Sequence, residues 1–180
     1  MRVITGSARG RKLQTLEGDS VRPTTDMVKE AMFSIIHFDV EGARVLDMFC
    51  GCGQLGIEAL SRGAKNAVFV DEREDACKLI RENIKRTGFE TQSQVVRSDY
   101  STYLKKCGLK FNLILLDPPY AEVFLENALK RITEIDILQS GGIIVCERPV
   151  GKELPLEYSG YTRSKDYKYG KTLITIYRKD

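Results

Sequence analysis

Four residues past the middle of the chain, Asp117-Pro118-Pro119-Tyr120, stop a run of branched apolar side chains. A turn needs one proline at most. Two in succession, framed by a carboxylate and an aromatic ring, make a rigid platform bearing hydrogen-bond acceptors and a flat surface. Pro119 keeps Pro118 out of the helical region, so the element stays extended. A second constellation lies upstream. "DMFCGCGQLG" sets Gly51, Gly53 and Gly56 in the spacing G-x-G-x-x-G, just after Asp47 and Phe49. Glycines there let the backbone approach a ligand without Cβ clashes. Asp71, with Glu72 beside it, ends the next apolar run, where an acid can accept from both hydroxyls of a ribose. Asp99-Tyr100 closes a further run.

The elements that must position these residues alternate. "ARVLDMFC", "AVFVD", "SQVVRSD", "FNLILLD" and "GGIIVCE" read as strands. Helical patterns separate them in "LGIEALSRG", "REDACKLIRENIKRTG", "YSTYLKKCG" and "EVFLENALKRITEID", with Gly88 as a stop signal. Ahead of them Met27, Val28, Ala31, Met32, Ile35 and Ile36 recur at helical spacing, with Pro23-Thr24-Thr25 as the start signal. "YTRSKDYKYG" and "TLITIYR" read as a closing pair of strands. Repeated β-α units predict a Rossmann-like α/β fold. Its mostly parallel seven-stranded sheet would carry helices on both faces and an antiparallel C-terminal hairpin. The expected organisation is one domain, with a basic segment and helix over 1–40 and a catalytic core over 41–180. Such sheets bind ligands beyond the carboxyl ends of their strands, and four successive strands deliver an acid to that rim.

Asp47 discriminates between ligands. A dinucleotide would bring its anionic pyrophosphate to the glycine loop, and a carboxylate just ahead of the loop would repel it. S-adenosylmethionine (SAM) carries an ammonium and a sulfonium instead, which suit Asp47. Asp99 could then accept from the adenine amino group, with Tyr100 or Val96 against the ring.

With 180 residues, 42% of them hydrophobic and 29% charged, the chain has ordinary globular composition. It shows no apolar run of membrane-spanning length and no apolar core of a signal peptide at its start, so a cytoplasmic protein is expected. The five cysteines are odd in number and lack ligand-like spacing, which points to free thiols and no metal site. The net charge of +3 says little, but its distribution is uneven. Arg2, Arg9, Arg11, Lys12 and Arg22 crowd the start, while Arg163, Lys165, Lys168, Lys171, Arg178 and Lys179 crowd the end. Together they could form a composite phosphate-binding face.

Asp-x-Phe-x-Gly-x-Gly followed by a strand-ending Asp-Pro-Pro-Tyr resembles the class I SAM-dependent methyltransferases that modify exocyclic amino groups. "MRVITGSARGRKL", "RPTTDMVKEAMFSII", "GARVLDMFCGCGQLGIEALSRGA" and "LILLDPPYAE" resemble the RsmD family, bacterial methyltransferases acting on guanine N2 of 16S ribosomal RNA. The likeness runs from Met1 to about Glu147 and weakly into "YGKTLITIY".

The resemblance implies several roles. The Asp117 carboxylate and the Pro118 carbonyl would accept from the two N–H groups of the target amine, and Tyr120 would stack on a base turned out of the RNA. Arg2, Arg9, Arg11 and Lys12 would contact RNA phosphates, and Arg22 and Thr24 would line the cofactor or substrate side. SAM would be the cofactor and S-adenosylhomocysteine the product. The partner would be 16S rRNA or the small ribosomal subunit, and the enzyme a monomer without metal. The chain departs from the family pattern at Cys50 and Cys52, where the loop usually reads Ala-Gly-Ser-Gly, and at Met27, where arginine is frequent.

Three other readings compete. An amino-methyltransferase on another RNA, on DNA or on a protein amide shares Asp-Pro-Pro-Tyr-type chemistry, but the chain has no room for a DNA target-recognition domain, and amide enzymes generally carry Asn at the position of Asp117. A dinucleotide oxidoreductase is opposed by Asp47. A non-catalytic RNA-binding module is opposed by the intact catalytic element.

Overall fold

A computed structural model describes residues 1–16, 25–119, 123–151, 153–158 and 160–179. Arg22, Thr24 and Tyr120, each expected at the site, lie outside the described residues.

The β-α alternation appears as expected. Strands β1 (Arg44–Met48), β2 (Asn66–Asp71), β3 (Ser93–Arg97), β4 (Phe111–Leu116) and β5 (Leu138–Pro149) are parallel neighbours in the order β3-β2-β1-β4-β5. Beyond β5 the sheet continues through β8 (Thr172–Lys179), β7 (Tyr161–Tyr169) and β6 (Glu157–Tyr158), all paired antiparallel. The seven expected strands are thus present, and two-residue β6 adds an eighth. It escapes a pattern reading because two residues carry no period. The strand order reverses between β1 and β4, which opens a crevice at the carboxyl ends of these two strands.

Side-chain alternation along the strands divides the core between two faces. Val45, Phe69, Leu113 and Val145 point to the side covered by α1 (Asp26–Ile35), α2 (Gln54–Ser61) and α3 (Glu74–Thr87). Leu46, Val70, Ile114 and Ile144 point to the side of α4 (Tyr100–Lys106) and α5 (Val123–Ile135). Thr25 caps α1, its Oγ1 accepting from the N–H of Val28. The inward face of α1 consists of Val28, Lys29, Met32 and Phe33, whereas Met27 is 64% exposed. A buried lysine is what the helical periodicity missed.

That lysine belongs to the anchor of the N-terminal arm, residues 1–16, which folds back on itself through a bridge between Arg2 and Lys12. Val3, Ala8 and Leu13 enter the core on the α2 side. Glu58 of α2 is fully buried and collects the donors around it. Its carboxylate accepts from Ile4 N at 2.8 Å, Thr5 N at 3.0 Å and Arg62 Nε at 2.8 Å. Lys29 Nζ stands 3.9 Å away and donates to Arg2 O at 2.7 Å. Burial pulls the Lys29 ammonium below its ordinary range, and the charge of Glu58 opposes that pull. A Cβ on Gly6 (φ +89°) would lie 1.7 Å from Ser61 O, so the arm meets α2 backbone to backbone there.

Glu58→Ala would leave the buried Lys29 ammonium without its counter-ion and the N–H groups of Ile4 and Thr5 without their acceptor. The expected cost is about 3–5 kcal/mol in urea unfolding, together with faster proteolysis within the arm than in the wild type.

Candidate active site

The carboxyl ends of β1, β2 and β4 and the loops after them surround a cavity of about 460 Å³. Its wall includes Asp47, Phe49, Gly51, Asp71, Glu72, Asp99, Tyr100, Asp117, Pro118 and Pro119. The glycine loop and the proline platform therefore face one another across a single space. Gly53 does not line the cavity, but it makes the loop possible. At φ +78° it is the residue before α2, and its left-handed conformation turns the chain into that helix.

Asp47 is 1% exposed, and its Oδ2 accepts from Gly56 N at 2.8 Å. Burial pushes its carboxyl up to about 7, the Gly56 bond opposes the rise, and the nearby charge of Asp71 adds to it. A cation arriving in the cavity would favour the ionised form. Asp71 holds the loop as well as facing the cavity. Its Oδ2 accepts from Gly51 N and its Oδ1 from Arg73 N, each at 3.0 Å. Asp99 caps α4, accepting from Thr102 N at 2.9 Å. Hydrogen bonds from Thr102 hold its carboxyl below the ordinary range.

Phe49 is a non-glycine residue at φ +64°, a strained conformation that its ring contacts accompany. Its ring centroid is 5.4 Å from that of Tyr100 and 6.3 Å from that of Phe124, and the latter two are 6.1 Å apart. Phe124 lines the cavity and is 40% exposed. Sequence reasoning missed it. The available signal was an aromatic at the start of a helix directly after the proline platform.

Gln54 was missed too. It opens α2, lines the cavity and is 5% exposed, and its Oε1 is a buried acceptor without a hydrogen-bond partner among the described residues. Thr15 and Leu16 bring the end of the N-terminal arm into the wall. The Sγ of Cys50 donates to Val70 O at 3.3 Å and that of Cys52 to Met1 Sδ at 3.5 Å, so both loop cysteines face protein partners. All five cysteines are free. Among the described residues no three His, Cys, Asp or Glu side chains converge as metal ligands, and no helix is long and apolar enough to cross a membrane.

The basic clusters divide into free and engaged residues. Arg2, Arg9, Arg11 and Lys12 are all exposed on the arm. Arg2 pairs with Asp26 at 3.4 Å, and Arg11 Nη1 donates to Arg86 O at 2.6 Å. In the tail, Arg163 pairs with Asp166 and Glu153, Arg178 with Asp39, and Lys179 with Asp136. Those three tail residues hold the protein together, which narrows the composite phosphate face read from charge distribution alone.

A mixed sheet with its cavity at the strand-order reversal of its parallel part, a glycine loop tied to two acids and an Asp-Pro-Pro element opposite define an α/β methyltransferase. A family model described as conserved hypothetical protein 95 matches residues 1–178. The chain belongs to this family, the RsmD family of methyltransferases. It is 41% identical over 182 residues to the Bacillus subtilis protein named "Putative rRNA methyltransferase YlbH", covering 99% of each chain. It is 29% identical over 180 residues to "Ribosomal RNA small subunit methyltransferase D" of Escherichia coli, covering 100% of this chain and 90% of that one. The solved structure titled "Putative methyltransferase yhhF from Escherichia coli" superposes with a TM-score of 0.89 at 29% identity, covering 100% of this chain and 98% of that one.

The raised pKa of Asp47 gives a signed pH dependence. Between about pH 4, the unfolded value, and about 7 the native state holds a proton that the unfolded chain has lost, so this carboxyl makes stability fall as pH rises through that window. Asp47→Asn removes the ionisation. Calorimetry of the ligand-free proteins should find the variant gaining on the wild type as pH rises toward 8 or so and losing that gain in acid.

Proposed function

We propose that the chain transfers a methyl group from SAM to the exocyclic N2 amine of a guanine in 16S ribosomal RNA. The observation that carries this reading is the shared cavity. Asp47 and Asp71, with the glycine loop, face Asp117, Pro118 and Pro119 across it. The donor residues suit SAM: the Asp47 carboxylate and the orphan Gln54 acceptor are fit for its cationic amino-acid end, Asp71 and Glu72 for its ribose, and Tyr100 and Phe124 for its adenine. When bound, SAM supplies the activated methyl.

The protein's own part is binding and orientation. The guanine N2 lone pair is conjugated into the ring, and hydrogen bonds accepted from its two N–H groups favour a pyramidal nitrogen with that pair available. The Asp117 carboxylate and the Pro118 carbonyl are the acceptors proposed, and the strand end of β4 aims them with little mobility. Tyr120 is assigned to stacking on the base. The departing proton leaves through Asp117 or water. The ribosomal substrate is supported by the names of the relatives, and the guanine N2 position by the sequence resemblance. Arg2, Arg9, Arg11 and Lys12, exposed on one arm, are assigned to RNA phosphates, with Arg22 and Thr24 toward the cofactor or substrate side. The enzyme is taken to act in the cytoplasm as a monomer.

Incubation with methyl-labelled SAM and naked 16S RNA, small-subunit particles or DNA, followed by mapping of the label, tests the reading. Label on a 16S guanine N2 is expected, and label in DNA or protein alone would overturn it. Asp117→Ala should lower the single-turnover rate by at least about 100-fold while SAM affinity stays within a few-fold. Loss of SAM binding would reassign the residue.

A further inference from the structure

Asn83 of α3 is fully buried, and its carboxamide joins two segments that are far apart in sequence. Oδ1 accepts from Gln14 N at 2.8 Å, while Nδ2 donates to Gln14 O and to Cys52 O, each at 2.9 Å. The amide orientation is unambiguous, because the nitrogen meets two carbonyls and the oxygen meets an N–H. Two bonds to the N–H and C=O of one residue imitate a strand partner, and the third reaches the glycine loop. The other end of the arm touches the same loop residue, since Cys52 Sγ donates to Met1 Sδ. From Gln14 the chain passes directly to Thr15 and Leu16, and from Cys52 it passes through Gly53 to Gln54. Thr15, Leu16 and Gln54 all line the cavity. Arg9 and Lys12 stand exposed on the same arm.

We infer that Asn83 is a positioning residue that links the two ligands, so that cofactor in the glycine loop and RNA on the N-terminal arm each strengthen binding of the other. The inference rests on the functional reading above. Each ligand restrains one of the two segments. A shared buried carboxamide lets restraint of the first lower the ordering cost of the second. Such coupling is reciprocal by thermodynamic necessity. Asn83 touches neither ligand itself and acts only through Gln14 and Cys52.

The test measures the dissociation constant of S-adenosylhomocysteine with and without saturating 16S RNA transcript or small-subunit particles, and that of the RNA or particles with and without S-adenosylhomocysteine. In the wild type each ligand should tighten the other by the same factor, about five-fold or more. Asn83→Ala should bring both factors close to one. Gln14→Pro deletes the N–H that Oδ1 accepts without altering α3, and it should do the same if the first variant folds poorly. Calorimetric melting establishes which variants are folded. Independent binding of the two ligands in the wild type would overturn the inference, as would folded variants that bind both ligands more weakly yet keep the wild-type factor. A wild type that binds the cofactor but neither 16S RNA nor small-subunit particles removes the functional reading itself, and this inference with it.

Discussion

The hydrogen bond from Gly56 N to Asp47 Oδ2 ties the first turn of α2 to the end of β1, and the geometry of the cavity hangs on it. The helix can come that close only because residue 56 has no side chain. A Cβ there would stand 2.3 Å from the Phe69 ring on β2 and 3.0 Å from Asp47 Oδ2. Asp47 is thus both anchor and site residue. Burial against α2 raises its pKa, and the same burial makes it a responsive acceptor for a cation. On the far side of the loop Asp71 closes the arrangement by accepting from Gly51. Two carboxylates on adjacent parallel strands hold the loop from both ends, and they keep it open toward the platform at Asp117.

The N-terminal arm depends on the same helix. Glu58 and Ser61 sit on α2, and between them they accept from Ile4, Thr5 and Ala8. Placement of α2 by the Asp47–Gly56 contact therefore also places the arm. The arm in turn delivers Thr15 and Leu16 to the cavity wall. A surface segment with exposed arginines and lysine thus has a buried polar root within the core that carries the glycine loop. A cluster of charges inside a protein is costly unless every member has a partner. Here Glu58 faces both Lys29 and Arg62, and the arm's backbone adds further partners, while Arg62 Nη2 stays buried without a hydrogen-bond partner among the described residues.

The alternation of strands and helices was legible because each signal is local. Strand β1 carries buried apolar residues with an acid next to its end, and α3 repeats Ala76, Ile80 and Ile84 on one face with Gly88 as its stop. The acids at the strand ends were legible for the same reason, since a parallel α/β order sends every carboxyl end to one rim. Phe124 and Gln54 were not legible as site residues. Each has an ordinary helical type at an ordinary helical position, and only the facing wall gives it a role.

From sequence alone follow the fold class, the cofactor-type loop, the acid rim and the stiff Asp-Pro-Pro element, since each rests on residues within a few positions of one another. Tertiary structure decided what depends on distant partners. Arg163, Arg178 and Lys179 read as phosphate-binding charges until their acids appeared opposite them. Lys29 has no local signal of burial, and α2 alone brings Glu58 against it. Asn83 has its place only because Gln14 and Cys52 meet at its amide. Periodicity reports which face of an element is buried. What lies against that face is set by the packing of whole elements, and a single segment carries no record of it.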